Sequence, residues 1–149
     1  MDFLSKELVY QKSPQQLTAF LYEAGIQQLQ KAIECIENKQ WAEANMILQK
    51  VNDIIERLGA GLNYEAGIIA NQLDTLYNYM ANEVITGNLK KDVAILQEVR
   101  TIMEQLATAW TEALNMEITS GQREHYRKTN AYEQNVMIMK TEGEKTNEN

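Results

Sequence analysis

Apolar positions recur every three or four residues along most of this 149-residue chain, and no segment of comparable length alternates with period two. That is the period of amphipathic α-helices, so an all-α fold without strands is expected. The first helix starts at Pro14, because "SPQQL" offers Ser13 as N-cap, proline at the first helical position and Gln16 three residues after the cap. Leu17, Leu21 and Ala24 form one stripe, and Tyr22, Ile26, Leu29, Ile33 and Ile36 continue it until "ENKQ" breaks the pattern. A second run, Trp41, Ala44, Leu48, Val51, Ile55 and Leu58, stops at "GAG", where Gly59 can supply a left-handed C-cap. The third stripe takes Leu62, Ala66, Ile69, Leu73, Leu76, Met80 and Val84 and closes at Gly87 in "TGN". The fourth takes Leu89, Val93, Leu96, Val99, Met103, Leu106, Trp110 and Ala113, with "TSG" following soon after.

Each of these helices is about 20 residues, or ~30 Å, and the connections are only a few residues long. Every helix must therefore turn back along its predecessor, which predicts an antiparallel up-down-up-down four-helix bundle. The composition of 44% hydrophobic and 23% charged residues agrees with one globular domain. The bundle is placed at residues 1–118, with a short N-terminal arm, and residues 119–149 form a partly flexible C-terminal tail. An even number of antiparallel helices brings both ends of the chain to one pole.

Charge and chemistry narrow the function mainly by exclusion. A net charge of −7 and a pI near 4.8, with no cluster of Lys and Arg, argue against nucleic acid as partner. No stretch approaches the ~18 consecutive apolar residues of a membrane span, and Cys35 has no second cysteine to pair with, so a cytoplasmic protein without membrane insertion is expected. His125 is the single histidine and lies in the polar "GQREHYRK", with Gln122 where a metal-binding Glu-x-x-His would need its glutamate. Glu34, Glu56, Asp74, Glu98 and Glu104 fall between the apolar stripes, as solvated faces do. Cys35 reads as a small core residue, and "GAG" follows a helix and lacks the Lys-Ser/Thr of a phosphate loop. No catalytic residue, metal or cofactor is expected. A protein of this kind works by contact.

The segments "SPQQLTAFLYEAG", "NKQWAEANMILQKVNDIIERLGAGLN", "IIANQLDTLYNYMANEVITGNLKKDVAILQEV" and "TAW" resemble, in order and spacing, the flagellin-specific export chaperone family, the FliS-type proteins. The resemblance covers roughly residues 10 to 114. Its most specific part is Leu76, Tyr77, Tyr79 and Met80 followed by Asn88 and Asp92, with Ser13, Pro14, Leu17, Leu21, Tyr22, Leu58, Leu62, Asn63 and Trp110 matching elsewhere. It implies a bundle that holds the disordered C-terminal segment of flagellin, prevents early polymerisation and offers the pair to a component of the type III export gate. A helical-bundle adaptor with a different client is the alternative, and both monomer and homodimer stay open.

The apolar stripes on helices two and three are wider than one seam needs, which nominates Ile47, Val51, Ile54, Tyr77 and Met80 as the client-binding surface. The family's N-terminal arm has the form Ala-Tyr-x-x-x-x-Val, whereas "ELVYQK" stands directly before "SP" here, so that arm is expected to be truncated. "NAYEQNVM" at 130–137 is similar to that arm, so residues 130–139 are expected to cap the client groove through Tyr132, Val136, Met137 and Met139. The alternative is a flexible tail with a chance likeness.

Overall fold

The computed structural model describes the backbone of residues 13–134 and the side chains of residues 13–116. Within that range lie α1 (Pro14–Glu37), α2 (Trp41–Ala60), a 3-10 turn at Tyr64–Ala66, α3 (Ile68–Lys90) and α4 (Val93–Gln134). No strand occurs among the described residues. The chain divides into a first unit, Met1–Ala109, and a second, Trp110–Asn149, and α4 runs through the boundary.

The helix starts and stops have local causes. Ser13 Oγ accepts from the Gln16 N–H at 3.1 Å and Gln16 Oε1 accepts from the Ser13 N–H at 3.1 Å, closing the expected capping box ahead of Pro14. Such a cap is worth about 1 kcal/mol. α1 ends where Lys39 takes a left-handed φ of 61° and the Gln40 N–H reaches back to the Cys35 carbonyl at 2.7 Å. α2 continues through Gly59, and Gly61 ends it with φ −88°, so the left-handed glycine cap expected at Gly59 is not made. Left-handed glycine geometry comes later, at Gly67 with φ 73°. Asn63 caps the 3-10 turn before it, so Leu62 and Ala66 precede α3 rather than belonging to its stripe.

Gly87 does not end α3 either. It is buried inside the helix, which runs on to Lys90 and stops at Lys91 with φ 51°. The Asp92 N–H then bonds the Gly87 carbonyl at 2.9 Å, and Asp92 Oδ1 accepts from the Ala94 N–H at 2.9 Å to start α4. Leu89 thereby falls on α3. α4 passes "TSG" without a break and reaches Gln134, so the tail expected to begin at 119 is helical over its first half. Glycine costs a helix only about 1 kcal/mol, and no proline or strong capping sequence follows to stop it.

In the first unit the four helices form an antiparallel bundle around one core. Tyr22, Leu29 and Ile33 enter it from α1, Leu48, Val51 and Ile54 from α2, Met80 and Val84 from α3, and Leu96, Val99 and Met103 from α4, all nearly or wholly excluded from solvent. Polar pairs tie neighbours at the rim. Asn88 donates to Asn45 Oδ1 at 2.8 Å between α3 and α2, Tyr79 donates to Glu98 at 2.6 Å between α3 and α4, and Arg100 donates to Gln30 between α4 and α1. No charged side chain is buried among the described residues.

Close helix approach depends on missing side chains at two points. A Cβ at Gly25 would run into the Met103 thioether, and one at Gly87 would lie 2.8 Å from Leu96 Cδ2 and 3.0 Å from its Cγ. Met103 is unbranched and can yield at its far end, whereas Leu96 is fully buried. Gly87→Ala is therefore predicted to destabilise the bundle by about 1–2 kcal/mol, overpacking outweighing the better helix propensity of alanine. Urea unfolding measures it, and an unchanged or higher midpoint would show that Leu96 repacks without strain.

Candidate functional site

The residues nominated from the stripe pattern lie mostly inside. Val51, Ile54 and Met80 are completely buried, Tyr77 is nearly so, and only Ile47 is half-buried. The breadth of the α2 stripe has a different cause from a spare outer face: α2 packs against both α1 and α3 and needs apolar residues toward each. In this conformation those side chains support the surface from beneath.

What α2 and α3 do present is the groove between them, a cavity of about 530 Å³. Asn52, Glu56 and Gly59 line it from α2, and Asp74, Asn78 and Ala81 line it from α3. Gly59, Ala60 and Ala81 add little bulk to its walls. Tyr77 and Ile55 form its base. Two turns beyond Asn52 and Ala81, Asn45 and Asn88 join the two helices by their hydrogen bond, and toward the other end Tyr64 donates to Asp74 at 3.3 Å.

Exposed apolar side chains gather beyond both ends. Helical spacing carries the α2 wall from Gly59 and Asn52 back to Trp41, 47% exposed, and the α3 wall from Asp74 and Ala81 on to Ile85 and Leu89, 49% and 80% exposed. Toward the opposite pole stand Tyr64, Ile68 and Ile69, with Ile68 74% exposed. The pattern reading placed Trp41, Ile69 and Leu89 in the seams and passed over Ile68 and Ile85. A usable signal was the doubling in "II" at 68–69 and "VI" at 84–85, since adjacent apolar residues point about 100° apart and one helix seam holds only one of them.

Beneath the groove, the Tyr22 and Tyr77 hydroxyls lie 2.6 Å apart, a buried hydrogen bond joining α1 to α3. Burial pushes both phenols above the ordinary range; the bond between them lowers the Tyr22 value in part and raises that of Tyr77 further. Tyr79, at the surface, is pushed up to about 12, chiefly by its hydrogen bond to Glu98. Cys35 is buried, and burial pushes its thiol up, with Glu43 and Glu34 adding to the effect. Three or more His, Cys, Asp or Glu side chains do not converge anywhere among the described residues. No helix there is long and apolar enough to cross a membrane.

Residues 5–117 match the family model described as Flagellar protein FliS. The chain belongs to the FliS family. Flagellar secretion chaperone FliS of Salmonella typhimurium is 32% identical over 106 residues, covering 70% of this chain and 78% of that protein. The protein of the same name from Escherichia coli is 31% identical over 108 residues, 71% and 79% of the two chains, and that from Bacillus subtilis 30% over 105 residues, 70% and 78%. The FliS-like motif residues now have structural roles. Ser13 caps α1, Tyr77 and Met80 fill the core, Tyr79 clasps α4, Asn88 joins α3 to α2, and Asp92 starts α4. The match ends at 117, before the segment expected to cap the groove. Tyr132 lies on the helical backbone of α4, while Val136, Met137 and Met139 fall outside the described residues.

The buried tyrosine pair sets an alkaline limit on the fold. Folded-state values above the ordinary tyrosine value of about 10 mean that the folded chain holds protons the unfolded chain releases. Stability is therefore full below about pH 10 and falls as the pH rises above it. Ultraviolet titration should find Tyr22 and Tyr77 ionising only as helicity is lost. Either Tyr→Phe variant alone should cost about 1–3 kcal/mol, and the double variant less than the sum, because it leaves neither hydroxyl behind. Strict additivity would show that the two hydroxyls do not act as a pair.

Proposed function

We propose that this chain is a cytoplasmic export chaperone that binds the disordered C-terminal segment of flagellin, keeps it from polymerising early and delivers it to the type III export gate. One observation carries the reading: a FliS-family bundle leaves large apolar side chains exposed at both ends of an open α2–α3 groove. A disordered segment that becomes amphipathic on folding needs such a surface, laying its apolar face along a groove between helices. The family's curated members named above are flagellar secretion chaperones, which supports an export role. Holding a client requires neither catalysis nor a cofactor, and a one-to-one complex is sufficient.

The client surface is assigned to Trp41, Ile85 and Leu89 at one end and Tyr64, Ile68 and Ile69 at the other, in place of the buried set. Titration of a labelled flagellin C-terminal peptide should show saturable binding with a gain of helicity and a negative heat-capacity change. Ile85→Glu and Leu89→Glu should each weaken binding about tenfold while leaving stability within about 0.5 kcal/mol, since both sites are exposed. Ile54→Glu should unfold the bundle instead, because a buried unpaired carboxylate costs several kcal/mol. Absence of peptide binding by the unmodified chain would end this reading.

A further inference from the structure

The exposed apolar ends account for adhesion to a client but not for the polar character of the groove between them. Among the described residues, both charged residues lining it are carboxylates, Glu56 on the α2 wall and Asp74 on the α3 wall, and no Lys or Arg lines it. Among the described residues, Asp74 is engaged only by the long 3.3 Å bond from Tyr64, and a carboxylate has capacity for several donors. On the same α2 wall, Asn52 Oδ1 is buried without a hydrogen-bond partner, an arrangement folded proteins rarely keep without a reason. Gly59, Ala60 and Ala81 leave room for a long side chain to lie along the groove.

We infer that the middle of the α2–α3 groove is a specificity site for a basic side chain of the client helix, an inference that rests on the client reading above. The aliphatic stem of an arginine or lysine would pass over Ala81 while its head meets Asp74 and Glu56. The second torsion of asparagine is broad, so Asn52 can turn Oδ1 toward the incoming donor. Arginine suits the position best, because its planar fork serves acceptors on both walls at once. Apolar contacts at the ends then hold the client, and the central pair fixes its register by penalising any slip that leaves the carboxylates facing apolar groups.

The test compares two probes on the full chain: a flagellin C-terminal peptide, and the same peptide with every Lys and Arg replaced by Gln. Expected is roughly tenfold weaker binding of the Gln peptide at low salt, and near-equal binding of both peptides to the Glu56→Gln/Asp74→Asn variant. Should Asp74→Asn lower the melting temperature, Glu56→Gln alone, at an exposed position, carries the comparison. Asn52→Leu should raise the melting temperature by removing the unmet acceptor and yet weaken binding of the native peptide severalfold, a pairing that a purely structural role would not produce. Equal affinity of the unmodified chain for both peptides overturns the inference and leaves the chaperone reading standing. Failure to bind either peptide overturns both. An Asn52→Leu chain that melts higher and binds the native peptide undiminished removes Asn52 from the site.

Discussion

The hydrogen bond between Tyr22 and Tyr77 crosses the centre of the bundle, and much of the rest is arranged around it. Two phenols stripped of water are costly unless they find each other, so the 2.6 Å contact between α1 and α3 penalises other registers of those helices. A slip by a turn would part the two hydroxyls. With that diagonal set, α2 and α4 fill the remaining corners, and α4 comes close because Gly25 and Gly87 carry no side chain where Met103 and Leu96 arrive. A single polar contact thus specifies geometry that the surrounding Leu, Ile and Val residues stabilise without specifying.

Tyr77 also connects core to surface. Its hydroxyl belongs to the buried pair, while its ring forms part of the floor of the α2–α3 groove. The groove thus rests directly on the core, as the proposed client surface requires. Keeping it open has a cost in unmet contacts, visible in the lone Asn52 oxygen and in the exposed Ile and Leu side chains beyond its ends. Exposed apolar patches favour self-association. A net charge of −7, with carboxylates between the apolar ends, opposes it.

The FliS-family motif divides between these two duties. Tyr77 and Met80 face inward, whereas Tyr79, Asn88 and Asp92 make the clasps and caps that hold α3 against its neighbours. A run of residues familiar as a signature of function consists here largely of the framework for it. The residues assigned to the client surface, Ile85 and Leu89 among them, lie beside the motif rather than in it.

What the sequence by itself determined is what short-range physics controls. Helix periodicity, the Ser13 capping box and the burial of Leu48, Val99 and Met103 depend on residues a few positions apart, and all were legible. The four-helix topology followed, because short connections leave antiparallel neighbours as the economical solution. Tertiary structure decided what depends on the position of other helices. Ile69 and Leu89 fit apolar stripes by spacing, yet they stand where no neighbouring helix among the described residues covers them, so they are exposed. Val51, Ile54 and Met80 looked like spare apolar surface, yet α2 has a neighbour on each side and α3 closes over the centre. Gly87 looked like a stop and is a point of contact, because the reason for its missing side chain is Leu96, on another helix. Periodicity gives the direction in which a side chain points; only the packed bundle decides whether another helix is there to meet it.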